Sequence, residues 1–281
     1  MARTKKKLTK RIIALIVCAA FIVFLALVAF GLQIAFWVSD STIRCIQPDY
    51  EMQELDLDGE LDYELLYRQT GLTKIGIERA LKKGEAGKNL IKQIQADFFE
   101  PHEVKNDQVA PYACTDYIEK HVANIFLEDG DIIVTSATHI SFVRIGHAGM
   151  VTDERYGNVL EANAYGTYSK IGKIQYFTNR VNFMVLRPNP EMISPDVVQD
   201  VVKYAKTSLL DIPYEGLAGV VTSKNDIKKT QCAHIVWWAY KQFGIDLDSN
   251  GGAMVVPYDL AHSAYLQPVQ VFGFDLDELW K

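Results

Sequence analysis

Three residues of this chain have the types and spacing that covalent catalysis asks for: Cys232, His147 and Glu161. A thiol becomes a nucleophile when a base takes its proton, and the base works best when a third group orients it. Cys232 opens the stretch CAHIVWWAYKQFG, in which Ile235, Val236, Ala239 and Phe243 recur at helical spacing before Gly244 ends the element. Thr230 is placed to cap that helix. Unpaired amides and the positive end of the helix dipole gather at such a start, and both favour thiolate over thiol. A lone cysteine in that position is more often a small core residue, so the decision rests on the other two.

The segment IGHAGMVTDERYGNVLEANA reads as a β-hairpin whose turn lies in DERYGN. With the pairing centred on residue 154, His147 falls opposite Glu161 on one face of the hairpin. Cross-strand partners have Cβ atoms about 4.5–5.5 Å apart, within reach of a carboxylate-to-imidazole hydrogen bond. A slip of one residue would put the two on opposite faces. A strand histidine or a strand glutamate alone is more often structural, but a cysteine, a histidine and a glutamate together can fill three distinct catalytic roles.

The elements that must position these residues follow from the surrounding pattern. GDIIVT (130–135), HAGMV (147–151), NVLEANA (158–164), NFMVLRP (182–188) and VQVFGF (269–274) are short aliphatic runs with turn residues between them, and predict strands. Helical patterns run over 73–83 and 88–98, and Ser194 with Pro195 opens another to about 208. The expectation is one α+β domain with a mainly antiparallel sheet. Of the remaining histidines, His139, His121 and His262 read as surface residues. His234 is two residues from Cys232, so it faces elsewhere on the helix, and a metal site there lacks partners. The glycine-rich SNGGAMVVPYDL lacks the lysine of a phosphate-binding loop.

The N-terminus has a different character. Six basic residues, Arg3, Lys5, Lys6, Lys7, Lys10 and Arg11, precede an apolar run from Ile12 to Val38 in which Gln33 is the one polar side chain. The run exceeds the roughly 20 residues that cross a bilayer and predicts a single-pass signal anchor, with residues 1–11 cytoplasmic and the rest of the chain extracytoplasmic. Beyond that run stand 23 basic and 35 acidic residues, a net of −12, which argues against a nucleic-acid partner. Cys18 lies within the run; Cys45 and Cys114, expected in an oxidising compartment, are candidate disulfide partners, leaving Cys232 as the odd thiol.

Taken together, GDIIV, GHAGMV, VLEA and TQCAHIVWWAYKQFGIDL resemble the circularly permuted, YiiX-like branch of the NlpC-type papain-like cysteine hydrolases, over roughly residues 60–281. Unpermuted relatives run cysteine, histidine, third polar residue; the order here is histidine, third residue, cysteine. The resemblance implies a papain-like α+β fold with Cys232 as nucleophile, His147 as general base and Glu161 as orienting residue, where many relatives carry histidine. It also implies Tyr214, in DIPYEG, as a residue lining the site. The corresponding organisation is a spacer over 39–64, a helical region over 65–128 and a catalytic domain over 129–281. The implied activity is cleavage of an amide in a peptide, cell-wall fragment or similar substrate of a bacterial envelope, with backbone amides at the helix start holding the oxyanion and no metal or organic cofactor needed. A lipid amidase or acyltransferase would use the same three residues, and a non-catalytic binding module is the alternative of a different class.

Overall fold

The structure, a computed structural model, describes residues 12–28, 45–110, 113–140 and 143–280. Residues 12–28 form a helix, α1, whose apolar side chains, Ile12 to Val28, are exposed. Among the described residues no helix is long and apolar enough to cross a membrane. This overturns the expected single-pass anchor, and with it the membrane localisation and extracytoplasmic placement deduced from it. The basic segment 1–11 and the remainder of the apolar run, Trp37 included, lie outside the described residues.

The aliphatic runs with turns between them become one six-stranded antiparallel sheet. Its strands are β3 (Ile132–Thr135), β6 (His147–Asp153), β7 (Asn158–Glu161), β8 (Lys170–Lys173), β9 (Phe183–Pro188) and β10 (Leu266–Phe272), in the spatial order β10-β9-β3-β6-β7-β8. Side chains alternate between its faces. On one face Ile132, Val134, Ala148, Met150 and Leu160 pack with α6 (Pro195–Ser208) and α7 (Cys232–Lys241), through Val201, Ala205, Ile235 and Val236. On the other, Ile133, Val151, Val159 and Val185 pack with Phe98, Phe177 and Phe272. The fold is α+β with antiparallel sheets, as expected for the class.

A second sheet of four strands, β1 (Val104–Ala110), β2 (Ala113–Ile118), β4 (Thr138–Ile140) and β5 (Val143–Arg144), pairs in the order β1-β2-β4-β5. It falls largely in the region expected to be helical. The helical part of that region is α2 (Tyr63–Thr70), α3 (Lys74–Leu81) and α4 (Glu85–Phe99). Asp62 caps α2 by accepting from the Leu65 N–H at 2.9 Å, and Gly71 ends it in the left-handed region. There a Cβ would lie 1.9 Å from the Val271 carbonyl oxygen, so only glycine lets β10 approach. The expected spacer is not one: Leu55 and Leu57 are buried with Leu66, Ile77 and Ile91, and the Gln53 N–H donates to Gln69 Oε1 at 2.7 Å.

One buried charge cluster ties the sheet to α3. Arg187 on β9 donates from Nε and Nη2 to Asp131 at 2.8 and 2.6 Å, and its Nη1 lies 3.0 Å from Glu128 Oε1. Glu128 also accepts from Arg79 at 2.6 Å. Asp131 is fully buried and Arg187 nearly so, which is tolerated because each charge has its opposite in contact.

Candidate active site

The hairpin of β6 and β7 is paired differently from the sequence expectation, and the difference preserves the site. Met150 faces Leu160 and Val151 faces Val159, with an irregularity before Asp153 and Asn158. The register is displaced by two residues from one in which His147 faces Glu161. A shift of two keeps every side chain on its face, whereas a shift of one would not. Glu161 therefore reaches His147 diagonally, with Nε2 and Oε2 3.5 Å apart.

Cys232 joins them from α7. Its thiol lies close enough to the His147 imidazole to raise the ring's proton affinity, so residues from β6, β7 and the start of α7 converge on one imidazole. Glu161 is almost wholly buried and His147 retains a small exposed fraction, 12%. Burial alone would push the imidazole down, but its hydrogen bonds with Cys232 and Glu161, reinforced by their charges, lift it to about 9. At neutral pH the ring is thus held as imidazolium.

No family model matches this chain, and neither a curated protein nor a solved structure matches it.

The start of α7 departs from expectation in its cap. Gln231, not Thr230, is the capping residue: its Oε1 accepts from the Ala233 N–H at 2.8 Å and from the Cys232 thiol at 3.3 Å. Its Nε2 donates to the Val255 carbonyl, which fixes the side chain. Thr230 Oγ1 instead meets His234 Nδ1 at 3.0 Å, and His234 Nε2 meets the Lys224 carbonyl at 2.8 Å. His234 is a fully buried structural residue. The first intrahelical bond runs from the Ile235 N–H to the Gln231 carbonyl, and the Ala233 N–H before it is occupied by Gln231.

Phe177, on the short α5 (Gln175–Thr178), stacks on the His147 ring with centroids 5.0 Å apart and planes inclined by 10°. It gives the imidazole a flat wall. Neither Phe177 nor Gln231 carried a signal in the sequence, since one supplies a surface and the other a cap of an uncommon type. Tyr214 lies near the start of α7 in the chain's pairing. It forms a bridge with Thr230, two residues before Cys232, and its ring meets Tyr165 edge-on at 5.3 Å.

The other cysteines do not pair. Cys45 and Cys114 are both free and buried, which corrects the expected disulfide. Cys45 packs among Phe98, Ile118 and Phe272, whereas Cys114 stands on β2 opposite Gln108 and His139. Burial pushes the Cys45 thiol up to about 12 and also raises that of Cys114, so neither is a ready nucleophile. His139, expected at the surface, is buried near Asp116 and Asn106. A cavity of about 570 Å³ at the far end of β6, about 20 Å from His147 by strand rise, is lined by Arg79, Glu128, Asp131, Asp153 and Arg187. It contains none of the three residues above, and its buried charges are engaged with one another.

Proposed function

We propose that this protein is a cysteine hydrolase acting on an amide or ester, most simply in a peptide-like substrate. One observation carries the reading: a buried carboxylate and a thiol at a helix start, drawn from different elements, converge on one imidazole, with the carboxylate 3.5 Å from its Nε2. With Nε2 turned to Glu161, the sulfur's proton already rests on the imidazole before substrate arrives, so the reacting pair is thiolate and imidazolium. The thiolate attacks the carbonyl carbon, and the oxyanion forms beside the Cys232 amide. Collapse of that intermediate breaks the bond to the leaving group, which takes the proton from the imidazolium and departs. The thioester is then attacked by water, whose proton passes to His147, and the acid and the thiol are regenerated. Acyl transfer to another acceptor replaces only the water.

The test is to incubate the full chain with p-nitrophenyl esters and with peptide amides, quench in acid, and locate any acyl group by peptide mass spectrometry. An acyl group on Cys232 that disappears on chasing with buffer is the expected result. Acylation of lysines alone, unchanged in Cys232→Ala, would end the reading.

The pH dependence has a defined sign. The imidazolium is the proton donor to an amide leaving group, so amide turnover should decline as pH rises through about 9. Alkylation of Cys232 by iodoacetamide needs no donor and should not decline there. The same raised value means the folded state binds this proton more tightly than the unfolded one. Its contribution to stability is full below the ordinary imidazole value of about 6.5 and is lost as pH climbs through about 9. Glu161→Gln keeps the size and an acceptor but removes the charge, so it should lower turnover less than loss of either Cys232 or His147. Full activity in Glu161→Gln would transfer the orienting role to another group.

A further inference from the structure

Gly172 is a buried glycine in the interior of β8, opposite Val159. Glycine in a strand interior is unfavourable and marks a close approach by something else. Its backbone does not require it, because Gly172 is absent from the glycines in the left-handed region. What approaches is the carboxylate of Glu161: a Cβ at position 172 would lie 2.2 Å from Oε1, 2.7 Å from Cδ and 3.2 Å from Cγ.

The carboxylate has few other ties. Oε2 faces His147 at 3.5 Å, while Oε1 is buried without a hydrogen bond and has the Lys170 ammonium at 3.8 Å. Lys170 is the direct register partner of Glu161, and its head is half-exposed. A flexible glutamate held this loosely keeps its direction because the room it needs is left open beside it.

We propose that Gly172 is a positioning residue of this site, its missing side chain being the space from which Glu161 reaches His147. The inference deepens the cysteine-hydrolase reading and rests on it. A methyl group at 172 meets the far end of a flexible side chain rather than backbone, so Gly172→Ala should displace the carboxylate and leave the sheet in place.

The experiment is an NMR titration of the His147 ring in the full chain, in wild type, Gly172→Ala, Glu161→Ala and the double variant, with melting curves of each. Moving an opposite charge out of contact changes a titration midpoint by about 1–3 units, so Glu161→Ala should lower that of His147. Gly172→Ala should lower it in the same direction, and the double variant should match Glu161→Ala, because the space is then empty. If Gly172→Ala alone melts early, recovery in the double variant supports the same conclusion. A wild-type midpoint in a folded Gly172→Ala would overturn the proposal. So would a double variant that titrates lower, or melts earlier, than Glu161→Ala. Failure of the hydrolase reading is seen separately, as undiminished turnover in Cys232→Ala, and does not alter these titrations.

Discussion

Hydrolysis disappears when Cys232 is replaced by alanine, and falls by about 10²- to 10⁴-fold when His147 is replaced. The two losses differ in kind. Cys232→Ala removes the atom that forms the bond to the substrate, so no thioester can form. His147→Ala leaves the sulfur at its helix start, where the amides and the dipole still act, but takes away the proton acceptor and the later donor. Residual turnover in His147→Ala should therefore rise with pH as the thiol ionises unaided, and wild type should not follow that profile. The measurement is kcat/KM for whichever ester or amide the trapping experiment identifies, from pH 6 to 10, after melting curves show each variant folded. Undiminished turnover in Cys232→Ala would end the cysteine-hydrolase reading.

Arg187→Leu should lower the unfolding free energy by about 3–5 kcal/mol, the usual cost of stranding a charge in a protein interior. The guanidinium holds both oxygens of Asp131 and stands beside Glu128, and it also covers the Phe126 ring at 4.6 Å. Removing it leaves the fully buried Asp131 carboxylate without a counter-charge. Asp131→Asn in the Arg187→Leu background should recover part of the loss, because it takes away the stranded charge. Urea unfolding followed by fluorescence gives the comparison directly. A loss below about 1 kcal/mol would show that water reaches the cluster and solvates it.

The parts of the fold that were legible in the sequence are those whose pattern is set by burial. The six-stranded sheet announced itself through runs such as IIVT and FMVL, which are apolar on both faces because helices or loops cover both. The four-stranded sheet did not, since Val104–Ala110 reads VKNDQVA and its side chains are mostly exposed. The stretch before α2 looked like a linker because its acidic residues outnumber its anchors, yet Leu55 and Leu57 suffice to bury it.

The site was legible to the extent that it depends on chemistry. Cys232, His147 and Glu161 are brought together, and the two-residue error in hairpin register did no harm because strand faces repeat every two residues. Gly172 and Phe177 act by leaving space and by filling it, and nothing in residue type distinguishes those roles from ordinary packing. The apolar run at the N-terminus was long enough on paper to span a bilayer. The described helix is not, and the anchor deduced from the run falls with it.

The edge strand β10 also pairs with the segment between α2 and α3. The Val271 N–H donates to the Gly71 carbonyl at 2.8 Å, the Thr73 N–H donates to the Val269 carbonyl at 3.1 Å, and Thr73 Oγ1 donates to the Pro268 carbonyl at 2.8 Å. Helices made early in synthesis thus wait for residues made some two hundred positions later. A nascent chain paused before residue 266 would present β9 as a bare, apolar sheet edge, with α2 and α3 undocked, which is a template for pairing with other chains. On the ribosome this protein should depend on chaperones until β10 has emerged, even though every residue of the site is already translated.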